Sequence, residues 1–221
     1  MSGPKLTTVR ATSLAELAYE QLLEKITTGE YQDGHRIVID DIAEQLGISR
    51  IPVREALARL SAEHLLEYQK NKGYTVVPKV EHDKLFEARL IIEPSVIRYC
   101  GKNVSDAKIK QLRGINKKIS KLVTGKRFKQ YVDFLILNDQ FHATIIDISD
   151  NRLITEAYQG LSYGPQFARH TYGRGIPDLK TNVEEHERII TALENRDIDE
   201  AVKASEEHIK EGLKRFETYW D

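Results

Sequence analysis

Three histidines and an asparagine lie where the helical periodicity of the C-terminal half favours apolar side chains. Asn138 and His142 interrupt one apolar stripe, His186 lies in a second, and His208 lies on a face of small residues in the last helical segment. A neutral imidazole is the commonest nitrogen ligand of zinc-like metals, and a histidine four residues after an oxygen donor can form a two-ligand clip. The pattern therefore predicts a metal site inside a helical bundle. The alternative is three core histidines, each satisfied by a local hydrogen bond.

A charged side chain also lies on an apolar helical face. Arg89 follows Leu85 by four residues and precedes Ile92 by three, so its guanidinium is expected to point inward. A buried charge needs a partner, which is either an internal carboxylate such as Glu93 or Glu185 or the carboxylate of a bound ligand. The pattern alone favours the internal ion pair.

The stretch ISRIPVREAL, residues 48–57, has the layout of a helix-turn-helix. Gly47 ends one short helix and Ser49 begins the next, where its hydroxyl is expected to accept a hydrogen bond from the first turn. Either Asp40 or Asp41 is expected to cap the preceding helix. The second helix carries three arginines, of which the first two share one face because they are four residues apart: Arg50, Arg54 and Arg59. Guanidiniums near a helix N-terminus can reach base edges in a DNA major groove.

A hairpin follows this motif in the sequence LLEYQKNKGYTVVP. Asn71, Lys72 and Gly73 suit its turn, which places a lysine at the tip. A basic hairpin beside a helix-turn-helix is typical of a wing that contacts DNA. The alternative, a solvated hairpin with incidental lysines, remains open on the pattern alone.

These motifs need a mainly α fold with two domains. We predict a disordered N-terminal tail over residues 1–12, a winged helix-turn-helix domain over 13–78 with a small β-hairpin, and an all-α helical bundle over 79–221. Helices of the second domain are expected at 81–102, 106–124, 128–148, 151–172, 181–196 and 199–219. Pro94 and Pro165 fall inside two of them, which predicts kinks or breaks.

The composition limits the possible classes of protein but does not identify a binding partner. The formal net charge is −1, and residues 1–78 hold nine Lys/Arg against eleven Asp/Glu, so DNA binding must depend on where the basic groups are placed. The single cysteine, Cys100, excludes an internal disulfide and suits a reducing compartment. We find neither a long apolar run nor a signal-peptide core, and we expect a cytoplasmic protein without membrane contact.

Two segments resemble the winged helix-turn-helix of GntR-type bacterial transcription regulators. They are GEYQDGHRIVIDDIAEQLGISRIPVREALARLSAEHLL and the later KNKGYTVV. The C-terminal half is similar to the FCD ligand-binding domain of the FadR-like branch. The segments that carry this second resemblance are EARLIIEP, NDQFHATIIDISDN and EEHERIITALENRDIDEA, followed by His208. Together the two resemblances cover about residues 13 to 216.

The resemblance implies a homodimer that binds a palindromic DNA operator, usually as a repressor, and releases it when a small carboxylic acid binds the helical domain. It also implies a divalent metal, zinc-like or nickel-like. The matching metal positions are Asn138, His142, His186 and His208, and Arg89 matches the arginine associated with the effector carboxylate. The positions that match DNA-contacting residues are Ser49, Arg50, Ile51, Pro52, Arg54, Lys72 and Gly73; the pattern adds Arg59.

The chain departs from this family pattern at three positions. Asn138 replaces the usual aspartate and offers only a neutral carbonyl oxygen, Asp40 replaces an arginine that contacts DNA, and His64 replaces a glycine after the recognition helix. The rival class is a metal-dependent enzyme acting on small carboxylates, because three histidines can leave a coordination position open for water. Against an enzyme, we expect no inward carboxylate beside the histidines to act as a base.

Overall fold

The structure is a computed structural model, which describes residues 13–70, 72–78, 82–122, 128–159, 161, 167–169 and 179–218. The predicted N-terminal tail, Asn71 and Pro165 therefore lie outside the described residues. The chain divides into two compact units between Val77 and Pro78.

Over the residues described, the first unit contains three helices and a three-stranded sheet. Its elements are α1 (Leu14–Thr27), β1 (Arg36–Ile37), α2 (Ile39–Leu46), α3 (Arg50–Ala62), β2 (Leu66–Gln69) and β3 (Gly73–Val76). Helix α3 packs on α1 and α2 through side chains that are almost fully buried, namely Val53, Leu57 and Leu60. This packing holds the opposite face of α3 toward solvent.

The sheet confirms the predicted hairpin. Strand β3 pairs antiparallel with β1 on one side and β2 on the other, in the order β1-β3-β2, with Gln69 opposite Gly73. Gly73 has φ +85°, a backbone conformation that glycine adopts without strain, and it lets the strand begin directly after the turn. Lys72 is exposed at that turn.

Two predicted helix caps are wrong, although the helix boundaries agree with the prediction. Gly47 ends α2 at φ 65°, as expected, and Ser49 occupies the N-cap position of α3. The Ser49 side chain, however, makes no capping hydrogen bond, and α2 is preceded by Val38 rather than by an aspartate cap. Ser49 is exposed, so its hydroxyl remains available to an external acceptor.

In its described residues the second unit consists of helices joined by turns and loops, with no strand. Its helices are α4 (His82–Cys100), α5 (Asp106–Ser120), α6 (Phe128–Ile146), α7 (Arg152–Gln159), α8 (Lys180–Glu194) and α9 (Ile198–Thr218), with short 3-10 turns at Gly101–Asn103 and Asp147–Ser149. Helix α9 packs on α4 and α8, while α5 packs on α6 and α8. Among the described helices, none is long and apolar enough to cross a membrane.

Two predictions about these helices need correction. Helix α4 continues through Pro94, so no break occurs there, and a kink at Pro94 stays a prediction. The helix predicted over 151–172 ends at Gln159, and Leu161 already lies in a turn. Residues 167–169 are again helical.

Candidate functional site

The three inward histidines come together in the second unit. His142 is on α6, His186 on α8 and His208 on α9, and all three are buried. One ring nitrogen from each lies within 4.8 Å of one from each of the others. The periodicity of three separate helices therefore located a real cluster of imidazoles.

Two carboxylates fix the orientation of two of these rings. Nδ1 of His142 lies 2.7 Å from Oε2 of Glu93, and Nδ1 of His208 lies 2.6 Å from Oε2 of Glu185. A carboxylate accepts, so each Nδ1 donates and each Nε2 is left with its lone pair. The expectation that no inward carboxylate lies beside the histidines is therefore wrong.

The lone pairs of these two rings face each other. Nε2 of His142 and Nε2 of His208 are 3.2 Å apart, and in a neutral imidazole Nε2 carries no proton when Nδ1 is the donor. Two acceptors at that separation cannot form a hydrogen bond with each other. A cation placed between them would bind both.

His186 and Asn138 supply further buried polar atoms without partners. Among the described residues, neither ring nitrogen of His186 has a hydrogen-bond partner, and the same holds for Oδ1 of Asn138. The His186 ring instead stacks on Phe141, with centroids 3.8 Å apart. A buried polar atom without a partner costs about 1–3 kcal/mol, so these atoms fit a ligand that the protein itself does not provide.

The protonation states also favour metal ligation. Burial, reinforced by the Arg89 charge, lowers the pKa of His142 to about 3. Burial likewise lowers the pKa of His186 well below its ordinary value, with His208 acting in the same direction. Both imidazoles are therefore neutral near pH 7, as coordination through a ring nitrogen requires.

The donor set fits a divalent cation. His142, His186 and His208 would hold it through nitrogen, and Asn138 is placed to add a neutral oxygen, as it lines a cavity together with His208. When bound, such a cation supplies a Lewis-acid position for a carboxylate oxygen.

Glu93 connects this cluster to Arg89. Its Oε1 accepts from Nε of Arg89 at 2.7 Å and from the hydroxyl of Tyr158 at 2.5 Å, and its side chain is fully buried. Burial alone would raise the pKa of Glu93, but Arg89 and His142 outweigh it and hold that pKa well below its usual range. The internal ion pair that the Arg89 spacing favoured is therefore present.

Glu185 has the corresponding place beside His208. Nη1 and Nη2 of Arg215 each lie 2.7 Å from one of its carboxylate oxygens. Partial burial raises the pKa of Glu185, but the hydrogen bonds from His208 and Arg215 leave it below its ordinary value. His142 and His208 are thus each held by a carboxylate that is neutralised by its own arginine.

A cavity of about 80 Å³ lies against this cluster. Arg89 and Arg215 line it together with Asn138 and His208, and Phe86, Tyr131, Phe134, Phe167 and Phe216 contribute aromatic walls. The cavity therefore offers cationic groups, two members of the candidate metal site and apolar surface to one small molecule.

Sequence reasoning missed three members of this arrangement. Glu185 was weighed only as a partner for Arg89, Arg215 was not considered, and Tyr158 had no assigned facing. The spacing of Arg89 and Glu93, four residues apart on one helix, was the one usable signal.

The first unit presents a second candidate site on α3. Arg50, Ile51 and Arg54 are exposed, with Ile51 at 69% relative exposure, and Pro52 is half-buried beside them. Nε of Arg50 forms an ion pair with Oδ1 of Asp40 at 2.6 Å. Exposed residues of the turn and of the first helical turn thus form one surface.

Arg59 belongs to a different environment. It lies nine residues after Arg50, about half a turn round the helix. Its guanidinium lies 3.6 Å from the ring centre of Tyr19 and makes ion pairs with Glu16 at 2.8 Å and Glu63 at 3.1 Å. These contacts engage Arg59 in the packing of α3 against α1.

Comparison with known proteins covers both units. A family model described as "FCD domain" matches residues 84–211, and one described as "Bacterial regulatory proteins, gntR family" matches residues 14–76. The Uxu operon regulator of Haemophilus influenzae is 26% identical over 211 residues, covering 86% of this chain and 77% of that protein.

Two further relatives extend the comparison. The gluconate operon transcriptional repressor of Bacillus licheniformis is 22% identical over 218 residues, covering 96% of this chain and 88% of that protein. The solved structure of Escherichia coli McbR/YncC has a TM-score of 0.64 and 20% identity, and it covers 96% of this chain and 100% of that one. The structural likeness supports the fold.

Proposed function

Since the chain belongs to the GntR family of bacterial transcription regulators, in the branch with a C-terminal FCD domain, we propose how its two candidate sites work together. The first unit binds a two-fold symmetric DNA operator in the cytoplasm. The second unit binds a small carboxylic acid beside a divalent metal, and this binding changes the affinity for the operator. The name of the Bacillus licheniformis relative supports repression as the sign of regulation.

Family membership excludes the enzyme alternative. The matched models and the named relatives describe transcription regulators, and the chain is not an enzyme. The carboxylates beside the histidines accept hydrogen bonds from imidazoles and arginines, which suits holding a metal in place.

The DNA contacts follow from exposure on α3 and the hairpin. Arg50 and Arg54 are placed to reach base edges in the major groove. The residues around these two arginines position the unit on the DNA backbone or on thymine methyl groups. They are Ser49, Ile51, Pro52, Lys72 and Gly73. Arg59, which is engaged with α1, is assigned to the stability of the unit.

One observation carries the effector proposal: a single cavity is lined by Arg89 and by two candidate metal ligands, Asn138 and His208. A carboxylate in that cavity can bind the metal with one oxygen and receive a hydrogen bond from Arg89 with the other. The aromatic walls would contact the apolar part of the acid. Because Asn138 is uncharged, the metal keeps more of its positive charge for the incoming carboxylate than it would beside an aspartate.

A thermal-shift experiment tests this site. The full chain is stripped with chelator, and its Tm is measured with Zn²⁺ or Ni²⁺ alone and then with acetate, lactate, malonate or citrate added. A ligand at about 100 times its Kd stabilises by roughly 2.7 kcal/mol, so we expect one shift with metal and a second with at least one acid.

Arg89→Lys provides the control for the effector contact. Lysine keeps a cation near Glu93 but loses the planar fork that matches a carboxylate. We expect this variant to keep the metal shift and to lose most of the acid shift. An acid shift as large in the variant as in the unaltered chain would contradict the assigned contact.

The family binds DNA typically as dimers, and the second unit has a surface suited to pairing with a second copy. A groove of about 460 Å³ lies between α4 and α7, and none of the described residues that line it is charged. Large apolar side chains at this surface are strongly exposed: Ile91 at 64%, Tyr99 at 82% and Leu153 at 68%. Pairing of two copies here would remove that apolar area from water.

The change Ile91→Glu is expected to weaken this dimer and to leave the monomer folded. Burying one carboxylate from each copy at the interface is unfavourable, whereas the exposed position tolerates charge in the monomer. Sedimentation over a range of protein concentrations should show the dimer dissociating at least about tenfold more readily than in the unaltered chain. Lys102→Glu, an exposed charge change outside the groove lining, serves as the control; equal behaviour of the two variants would contradict this interface.

A further inference from the structure

The ion pair between Arg50 and Asp40 has no evident role in folding. Arg50 is the first residue of α3 and Asp40 lies in the first turn of α2, and their side chains are 65% and 60% exposed. Ion pairs this exposed add little to stability because water screens them and both side chains lose freedom. The position of the pair, on the surface proposed to face DNA, suggests a role in recognition.

The geometry of the pair leaves one end of the guanidinium available. Oδ1 of Asp40 forms an ion pair with Nε of Arg50 at 2.6 Å, and among the described residues Arg50 makes no other ion pair and no hydrogen bond. Both Nη atoms can therefore donate outward. Two parallel N–H groups match the O6 and N7 acceptors of guanine, which is the commonest specific arginine contact in the major groove.

The charge of Asp40 needs compensation near DNA. Duplex DNA is densely negative, so a carboxylate close to it opposes binding unless a cation neutralises it. Arg50 provides that cation, whereas the neighbouring Asp41 in the same helical turn is exposed and forms no ion pair among the described residues. Asp40 and Asp41 are therefore matched in charge and helix position but differ in their contact with Arg50.

We propose that Asp40 is a specificity-determining residue: by holding Arg50 through Nε, it aims the Nη end of the guanidinium at a guanine in each operator half-site. The proposal rests on the DNA contact assigned to Arg50 above. A side chain already held in its binding conformation loses less entropy when the base contact forms.

The carboxylate of Asp40 also discriminates between the bases beside that guanine. It only accepts hydrogen bonds, so it favours a neighbouring base that presents an amino group, cytosine N4 or adenine N6, and it repels the keto oxygens of guanine and thymine. The expected half-site therefore contains a guanine next to a cytosine or adenine at the position read by this pair.

Selection from a randomised double-stranded DNA library tests the proposal. The full chain, Asp40→Ala, Asp40→Asn and Asp41→Ala are each used to select sites. Their affinities are then measured at one salt concentration for the site selected by the unaltered chain and for every single-base change of it. Circular dichroism melting checks that each variant is folded.

We expect the unaltered chain to prefer guanine at one symmetric position by about fivefold or more. Asp40→Ala should lose most of that preference while binding the selected site within roughly threefold of the unaltered chain. Losing the orientation of Arg50 weakens binding, whereas losing the repulsion between the Asp40 carboxylate and DNA strengthens it, so the two effects oppose each other. Asp40→Asn should lose nearly as much of the preference as Asp40→Ala, since it removes the charge that forms the ion pair with Nε. Asp41→Ala should keep the whole preference for guanine and bind every DNA sequence somewhat more tightly.

Three outcomes would overturn the inference. One is an Asp40→Ala variant whose base preference is unchanged. Another is an Asp40→Ala variant that tightens binding to all sequences by the same factor as Asp41→Ala, which would assign Asp40 only a repulsive charge. The third is an Asp40→Asn variant that keeps the full preference, because the charge of Asp40 would then not hold Arg50. If the unaltered chain selects no site at all, the DNA-binding function itself fails, which these three outcomes do not imply.

Discussion

Replacing Arg54 with alanine is expected to reduce operator affinity by at least about 30-fold, because one arginine contact worth about 1–3 kcal/mol is lost from each of two half-sites. Arg54 is exposed on α3, and its positive charge opposes the burial that raises the pKa of Tyr74 on β3. Fluorescence anisotropy with a selected operator at fixed salt measures the loss. The melting temperature should stay within the error of the measurement.

Arg59→Ala is the matched control for this experiment, since it removes the same side chain from the same helix. Arg59 packs on the Tyr19 ring and pairs with Glu16 and Glu63. Its loss is expected to lower the melting temperature and to leave operator affinity within roughly threefold when measured well below that temperature. The opposite result, a stable Arg59→Ala that no longer binds and an Arg54→Ala that does, would contradict the orientation assigned to α3.

Replacing His186 is expected to weaken binding of a divalent metal by at least about 100-fold, because the loss even of a residue that only orients a metal ligand costs 10- to 100-fold. The change His186→Phe preserves an aromatic ring against Phe141 and removes both unpartnered nitrogens. His186→Ala serves as a second variant in case the larger ring does not fit. Isothermal titration with Zn²⁺ or Ni²⁺ measures the affinity.

The same variants distinguish a metal site from a set of core histidines. Chelator should lower the melting temperature of the unaltered chain and leave that of both His186 variants unchanged. His35→Ala, which alters an exposed histidine of the first unit, should retain the full response to chelator. An equal response to chelator in all four proteins would show that the cluster does not bind metal.

Local patterns allowed much of this fold to be predicted. Gly47 has the positive φ expected at the end of α2, Gly73 has the positive φ expected at the hairpin, and the apolar face of α3 is buried. The inward direction of His142, His186 and His208 followed from the helical period of each segment. These features depend on residues close in sequence, so a local pattern contains the information.

Contacts between distant residues could not be predicted in this way. His208 is held by Glu185, 23 residues earlier, and Glu93, besides its local pair with Arg89, accepts hydrogen bonds from His142 and Tyr158 on two other helices. No periodicity reports which carboxylate will lie beside which imidazole. The Ser49 cap failed for a related reason, since a residue can occupy the cap position while its hydroxyl points to solvent.

The same limit applies to the surface that faces DNA. Charge counting treated Arg50, Arg54 and Arg59 alike. Only its contacts with α1, including the ion pair with Glu16, distinguish Arg59 from the other two exposed arginines. The departure at Asp40 was visible in the sequence, but its consequence became apparent only from the 2.6 Å contact with Arg50.

The central claim is that occupancy of the cavity in the helical unit sets operator affinity. Its most direct test is the operator Kd of the full chain, measured by anisotropy at one salt concentration with metal alone and with metal plus the acid that gives the largest thermal shift. Coupling between sites is typically about 1–3 kcal/mol, so we expect the acid to change Kd by about 5- to 150-fold in the unaltered chain and not to change it in His186→Ala. An operator Kd that is the same with and without the acid, at an acid concentration that saturates the thermal shift, would contradict the account.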